Sequence, residues 1–211
     1  MPTRESKTKS AEPTQHSPEP TIAVQPGGDD TRTQARAKEI AHDLALPIAR
    51  GPHTGYDLLL VVTPHRVELR DIRPPAPSPI YVDFIGGAAG YNRRVNRFGL
   101  LFQAVGMRRG SAPFVLDATC GLGRDAFLLA DNGCVVHAIE RSPIVATLLR
   151  DGLNRAARDP ELHEWLKNRF HLHIGDAREV IKQWPPDQYP DVAYLDHMFP
   201  PKTKSALVKK E

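Results

Sequence analysis

Along the second half of the chain, short apolar runs alternate with segments whose apolar positions recur at helical spacing. Residues 114–118 read as a strand buried on both faces, built on Phe114, Val115 and Leu116. Phe127, Leu128 and Leu129 belong to a helix that stops at Asn132-Gly133, a common helix exit. Residues 134–139 form a second strand ending at Glu140. Ser142-Pro143 then starts a helix, with Ser as N-cap and Pro as first helical residue, and its apolar face is Ile144, Val145, Leu148 and Leu149. Asp159-Pro160 repeats that start signal for a helix through Trp165. Residues 170–174 make a third strand, followed by Gly175-Asp176 and a short helix to Trp184 that Pro185-Pro186 closes. Residues 192–195 make a fourth, ending in Asp196. Strands alternating with helices predict a parallel, Rossmann-like α/β sheet over residues 113–211.

The first half is less regular. Residues 1–33 hold Pro, Thr, Ser, Gln and charges of both signs, a composition that predicts a disordered tail. Residues 34–46 fit one amphipathic helix through Ala35, Ile40, Ala41 and Leu44. Residues 56–62 and 65–70 are strand candidates around Thr63-Pro64, and residues 80–85 form another before Gly86-Gly87. Residues 34–112 therefore read as a small α+β appendage.

Composition narrows the class. With 211 residues and 40% apolar content, the chain holds one ordinary domain, with or without an appendage. A net charge of +3 permits a nucleic-acid partner without demanding one. Basic and aromatic residues alternate from Tyr91 to Phe98, with Arg108-Arg109 after them, which suits RNA phosphates and stacked bases as well as a solvated helix face. Lys202, Lys204, Lys209 and Lys210 form a basic tail. Cys120 and Cys134 do not suggest a structural disulfide, no apolar run approaches membrane-spanning length, and the N-terminus has no apolar signal core, so a cytoplasmic location is expected. His171 and His173 share one face of the third strand without a further ligand cluster, so no metal is expected.

The chemistry gathers where strands end. Asp117, Glu140, Asp176 and Asp196 follow four consecutive strands, and in a parallel sheet these ends share one rim. Gly121-Leu122-Gly123-Arg124-Asp125-Ala126 after the first strand suits a cofactor loop, since two glycines permit positive φ and close approach to backbone. Glu140 stands where an acid that binds both ribose hydroxyls is expected. The glycine spacing also fits a nicotinamide dinucleotide. However, Asp117 and Asp125 would repel a pyrophosphate, whereas the ammonium and sulfonium of S-adenosylmethionine (SAM) are attracted by carboxylates. Asp196-His197-Met198-Phe199-Pro200-Pro201 is similar to the Asp/Asn-Pro-Pro-aromatic motif of amino methyltransferases. There a carboxylate and a carbonyl accept the two N–H bonds of an exocyclic base amine, and an aromatic ring stacks on the base.

Four stretches resemble the bacterial RsmJ (YhiQ) family in order: residues 82–87, 117–127, 140–143 and 204–211. The resemblance runs from about Ala41 to the last residue. It implies a class I SAM-dependent methyltransferase that modifies N2 of a guanosine in 16S rRNA, with the small ribosomal subunit or its rRNA as partner. Arg124, Asp125, Glu140, Arg141, Asp176, Ala177 and Asp196 would line the cofactor site, and Asp196 and Phe199 would hold the target base. His197 stands where the family motif has Pro, and residues 91–98 differ from the family's glycine-rich basic stretch. Family members continue past Lys209-Lys210-Glu211, so the chain is expected to lack the C-terminal strands. A remnant that binds cofactor or RNA without turnover, and an NAD-dependent oxidoreductase, are the alternative readings.

Overall fold

A computed structural model describes residues 20–51, 55–86, 99–108 and 110–196. Two sheets share one apolar core that runs without a break from Val24 through Val62, Phe84 and Val115 to Phe170.

The first sheet has the order β1-β2-β3, from Ile22–Pro26, Leu58–Val62 and Val67–Asp71. β2 and β3 form the expected antiparallel pair, Leu60 opposite Leu69. β1 lies parallel to β2, Val24 opposite Leu60, and helix α1 (Thr31–Asp43) connects them. Residues 20–33 are therefore not a tail. Ala23 and Val24 are fully buried and Asp30 caps α1, accepting the Thr33 N–H at 2.9 Å. The apolar run of β1 is too short to stand out between prolines and glycines, and only its pairing with β2 buries it. Residues 1–19 lie outside the described part.

Residues 80–85 do not form a strand. Ile80 makes one antiparallel bridge to Leu69, after which the segment crosses a helix at Gly152. A Cβ there would overlap the Val82 side chain, so the crossing needs glycine. Phe84 then stacks on Phe127, ring centroids 4.0 Å apart. Helix α2 spans Leu100–Ala104.

The second sheet is parallel, of order β6-β5-β4-β7: Phe170–Ile174, Val135–Glu140, Phe114–Asp117 and Val192–Tyr194. Its helices are α3 (Arg124–Asp131), α4 (Pro143–Ala156), α5 (Pro160–Arg169) and α6 (Ala177–Lys182). Ser142, Asp159 and Asp176 cap α4, α5 and α6, and Pro143 and Pro160 occupy the first turns of α4 and α5. The chain moves outward from β4 to β5 to β6, then returns to place β7 on the other side of β4. That reversal makes the carboxyl end of β4, beside β7, the switch point at which such sheets bind ligands.

His137, His171 and His173 cluster on one sheet face near Trp184, with His137 Nδ1 and His173 Nε2 2.8 Å apart. Burial, ahead of its two histidine neighbours, lowers the His137 pKa to about 4. The described residues contain no group of three or more metal-ligating side chains placed to hold an ion. Both cysteines are free and buried. No helix among the described residues is long and apolar enough to cross a membrane.

Candidate cofactor and active site

The switch point is built on the turn between β4 and α3. Gly121 and Gly123 have φ of 54° and 73°, where a side chain would strain the backbone. Their surroundings differ. A Cβ on Gly123 would lie 2.7 Å from Leu149 Cδ1, so this glycine lets the turn pack down on α4. A Cβ on Gly121 would meet nothing within 4 Å, so its backbone faces open space. Of the two, Gly121 has room for a ligand against the chain.

Carboxylates gather at the same strand ends. Asp117 closes β4 and is 2% exposed. Its Oδ1 accepts the Thr119 N–H at 3.0 Å, and no salt bridge reaches it among the described residues. Burial raises its pKa to about 6, and the charges of Asp125, Asp196 and Glu140 add to the rise. Glu140 ends β5, and its Oε1 accepts the Ser142 N–H at 2.6 Å. Asp125, in the first turn of α3, accepts the Tyr194 O–H at 2.8 Å across the switch point. Burial and then this carboxylate push the Tyr194 pKa upward. Asp196 follows β7 with its side chain exposed, and its N–H donates to Thr119 Oγ1 at 2.8 Å.

The remaining candidates follow the same strands. Arg124 is the exposed first residue of α3, and Arg141 is exposed after β5. Ala177 begins α6, capped by Asp176. Asp176 is held by Arg178, whose Nη2 lies 2.7 Å from Oδ2, and this pairing, then the Arg178 N–H, keeps its pKa well below the usual carboxylate range. Phe199 and His197 lie outside the described residues, as do Tyr91 to Phe98, Arg109 and the four tail lysines.

Two residues escaped the sequence reading. Thr119 joins the ends of β4 and β7 by serving both Asp117 and Asp196. Tyr194 tethers Asp125 from the opposite strand. Their role depends on β7 lying beside β4, where Asp117 is opposite Tyr194. Counting two residues back from Asp196 along the predicted strand would have pointed to Tyr194, given that strand order.

The arrangement suits a cationic, phosphate-free ligand. The glycine turn is open at Gly121, and four carboxylates lie near enough to feel one another's charge, Asp117 buried among them with no countercharge among the described residues. The chemistry of these side chains fits SAM, whose ammonium and sulfonium are cationic and whose ribose offers two hydroxyls to a carboxylate.

Comparison with known proteins agrees with this chemistry. The family described as putative SAM-dependent methyltransferase matches residues 42–211. A ribosomal RNA small subunit methyltransferase J from Aeromonas salmonicida is 52% identical over 154 residues, covering 72% of this chain and 61% of that protein. One of the same name from Thioalkalivibrio sulfidiphilus is 45% identical over 192 residues, 90% of this chain and 74% of its own. The chain thus spans between about three fifths and three quarters of these relatives' length. The crystal structure of a SAM-dependent methyltransferase from Neisseria gonorrhoeae superposes with a TM-score of 0.64 at 36% identity, covering 85% of this chain and 70% of that one.

Proposed function

Because the chain belongs to the putative SAM-dependent methyltransferase family, alongside the small-subunit rRNA methyltransferases J, we propose that it methylates the exocyclic N2 of a guanosine in 16S rRNA. The observation that carries the reading is Asp117: buried, without a cationic partner among the described residues, and close to an open glycine turn.

In this reading Asp117 and Asp125 face the cationic end of the cofactor, Glu140 takes the ribose, and Asp176 lines the site beyond it, at the end of β6. The backbone of Gly121 gives room for close approach, and Gly123 sets the turn. Arg124, Arg141 and Ala177 border the pocket. Bound there, SAM supplies an electrophilic methyl group. The residues of the chain position and polarise the acceptor. The Asp196 carboxylate accepts an N–H of the guanine amine, which aims the nitrogen lone pair, and can take the proton that the methylated amine releases. Thr119 holds the Asp196 backbone at the rim. Phe199 stacks on the base. Proximity and oriented acceptors lower the barrier by fixing a geometry that the free reactants seldom reach.

The experiment is transfer of label from methyl-labelled SAM to small-subunit rRNA from cells lacking this modification, followed by nucleoside analysis. Label in N2-methylguanosine is expected, and Asp196→Ala should lower the rate at least about tenfold, consistent with losing one oriented acceptor. A chain that binds SAM but labels no guanosine rules the assignment out. Tight NAD binding without SAM binding would restore the oxidoreductase reading.

A further inference from the structure

A cleft runs between α1 and α4, made of two adjoining hollows that share Arg36, Asp151 and Asn154. One hollow reaches Pro143 and Ile174, next to the rim that carries Glu140. The other ends among Arg32, His65 and Arg158. α4 has 14 residues, so at ~1.5 Å per residue the two ends lie about 20 Å apart.

The halves differ in charge. The rim half has Glu39 and Asp43 with Arg150. The far half gathers Arg32, Arg36, Arg155 and Arg158 against Asp30 and Asp151. Asp151 is enclosed by the Arg36 and Arg155 guanidinium groups at 2.6 and 3.0 Å. Asp30 is engaged in capping α1. Arg32 and Arg158 are exposed and make no ion pair among the described residues, so positive charge remains uncompensated at this end.

We propose that the basic half of this cleft anchors the phosphate backbone of the RNA substrate. The proposal rests on the rRNA methyltransferase reading and adds where the RNA is held. Arginine forks match phosphate geometry. Asp151 already orders two of them, so little side-chain freedom is lost on binding. The acids of the rim half repel phosphate. The backbone is therefore held at the far end, and the section of RNA that presents the base approaches the rim. An elongated polyanion fits this charge gradient better than a compact acidic protein does.

The test compares two charge reversals. Arg32→Glu with Arg158→Glu changes exposed side chains that hold no ion pair. Lys38→Glu with Lys167→Glu makes the same charge change outside the cleft. The probe is fluorescein-labelled 16S rRNA, titrated across a salt series, with SAM affinity measured in parallel. The arginine pair should lose at least about tenfold in RNA affinity at 0.1 M salt, and its log–log salt slope should fall by about 2. SAM affinity should stay unchanged, and the lysine pair should stay close to the parent. Equal losses in both pairs, or none in the arginine pair, overturn the anchor. Labelled polyglutamate is titrated as a second probe, and a loss confined to it also overturns the anchor, placing an acidic protein in the cleft. Failure of the parent chain to bind SAM strikes the methyltransferase reading instead, and the RNA titration is still interpretable by itself.

Discussion

Asp117 and Asp151 are both 2% exposed, yet their surroundings are opposite. Asp151 accepts Arg36, Arg155 and the Val67 N–H, and so joins α1, α4 and β3. Asp117 accepts one backbone N–H and faces three other acids. The fold itself completes the first carboxylate. It leaves the second in need of positive charge. A buried acid is costly in water-poor surroundings unless something compensates it, and no cation among the described residues reaches Asp117, so in the proposed reading the ligand supplies it. The contrast separates a structural acid from a binding acid at equal burial.

The largest predicted effect is at the completed site. Asp151→Ala leaves two guanidinium groups facing each other and an unpaired Val67 N–H. Stability should drop by about 3 kcal/mol, toward the low end for a broken buried pair because Arg36 is still reached by solvent. Urea denaturation measures this. SAM affinity of the folded fraction should hardly change, since Asp151 lies well along α4 from the rim. If stability changes by less than about 1 kcal/mol, the arginines do not need this carboxylate and the contrast collapses.

Asp151 also shows what the sequence conceals. Its partners Arg36 and Val67 are 115 and 84 residues away, and no local pattern marks them. Signals that act within a few residues were readable: the caps at Ser142 and Asp159, the exit at Gly133, and β6 at its observed bounds. β1 was missed because its five residues gain burial only by pairing with β2. In the candidate site, the acids and the glycine turn were legible from their places at strand ends. The separate duties of Gly121 and Gly123 were not, since Leu149 determines them from another helix. Tyr194 was hidden for the same reason, its partner Asp125 being 69 residues distant.

The next effect is at the incomplete site and has the opposite sign for stability. Burial raises Asp117 from 3.8 to about 6, so the free protein loses stability as pH rises through that interval and the carboxylate must ionise. Asp117→Asn removes this cost and should leave the chain as stable as the parent at pH 7, or up to about 2 kcal/mol more stable. SAM affinity should fall about tenfold or more, because a charge facing the cationic cofactor is lost. The pH profile sharpens the point. A bound cation favours the ionised carboxylate, so in the parent SAM binding should weaken as pH falls below about 6, with proton uptake by Asp117 in the free protein. The variant should lose that dependence. Calorimetry in two buffers of different ionisation enthalpy reads both. A variant destabilised like Asp151→Ala would make Asp117 a second structural acid.

The smallest effect asks whether the acids of the rim act together. Tyr194 touches Asp125 from β7, and losing one hydrogen bond is worth about 1 kcal/mol. Tyr194→Phe keeps the ring and its packing but releases the Asp125 carboxylate. The KM for SAM should rise about fivefold, which corresponds to that energy, with kcat and the thermal midpoint close to the parent. A fall in kcat with KM unchanged would place Tyr194 at the acceptor instead of the cofactor. No change in either would mean that Asp125 keeps its place without a tether, leaving Asp117 to supply the cation preference alone.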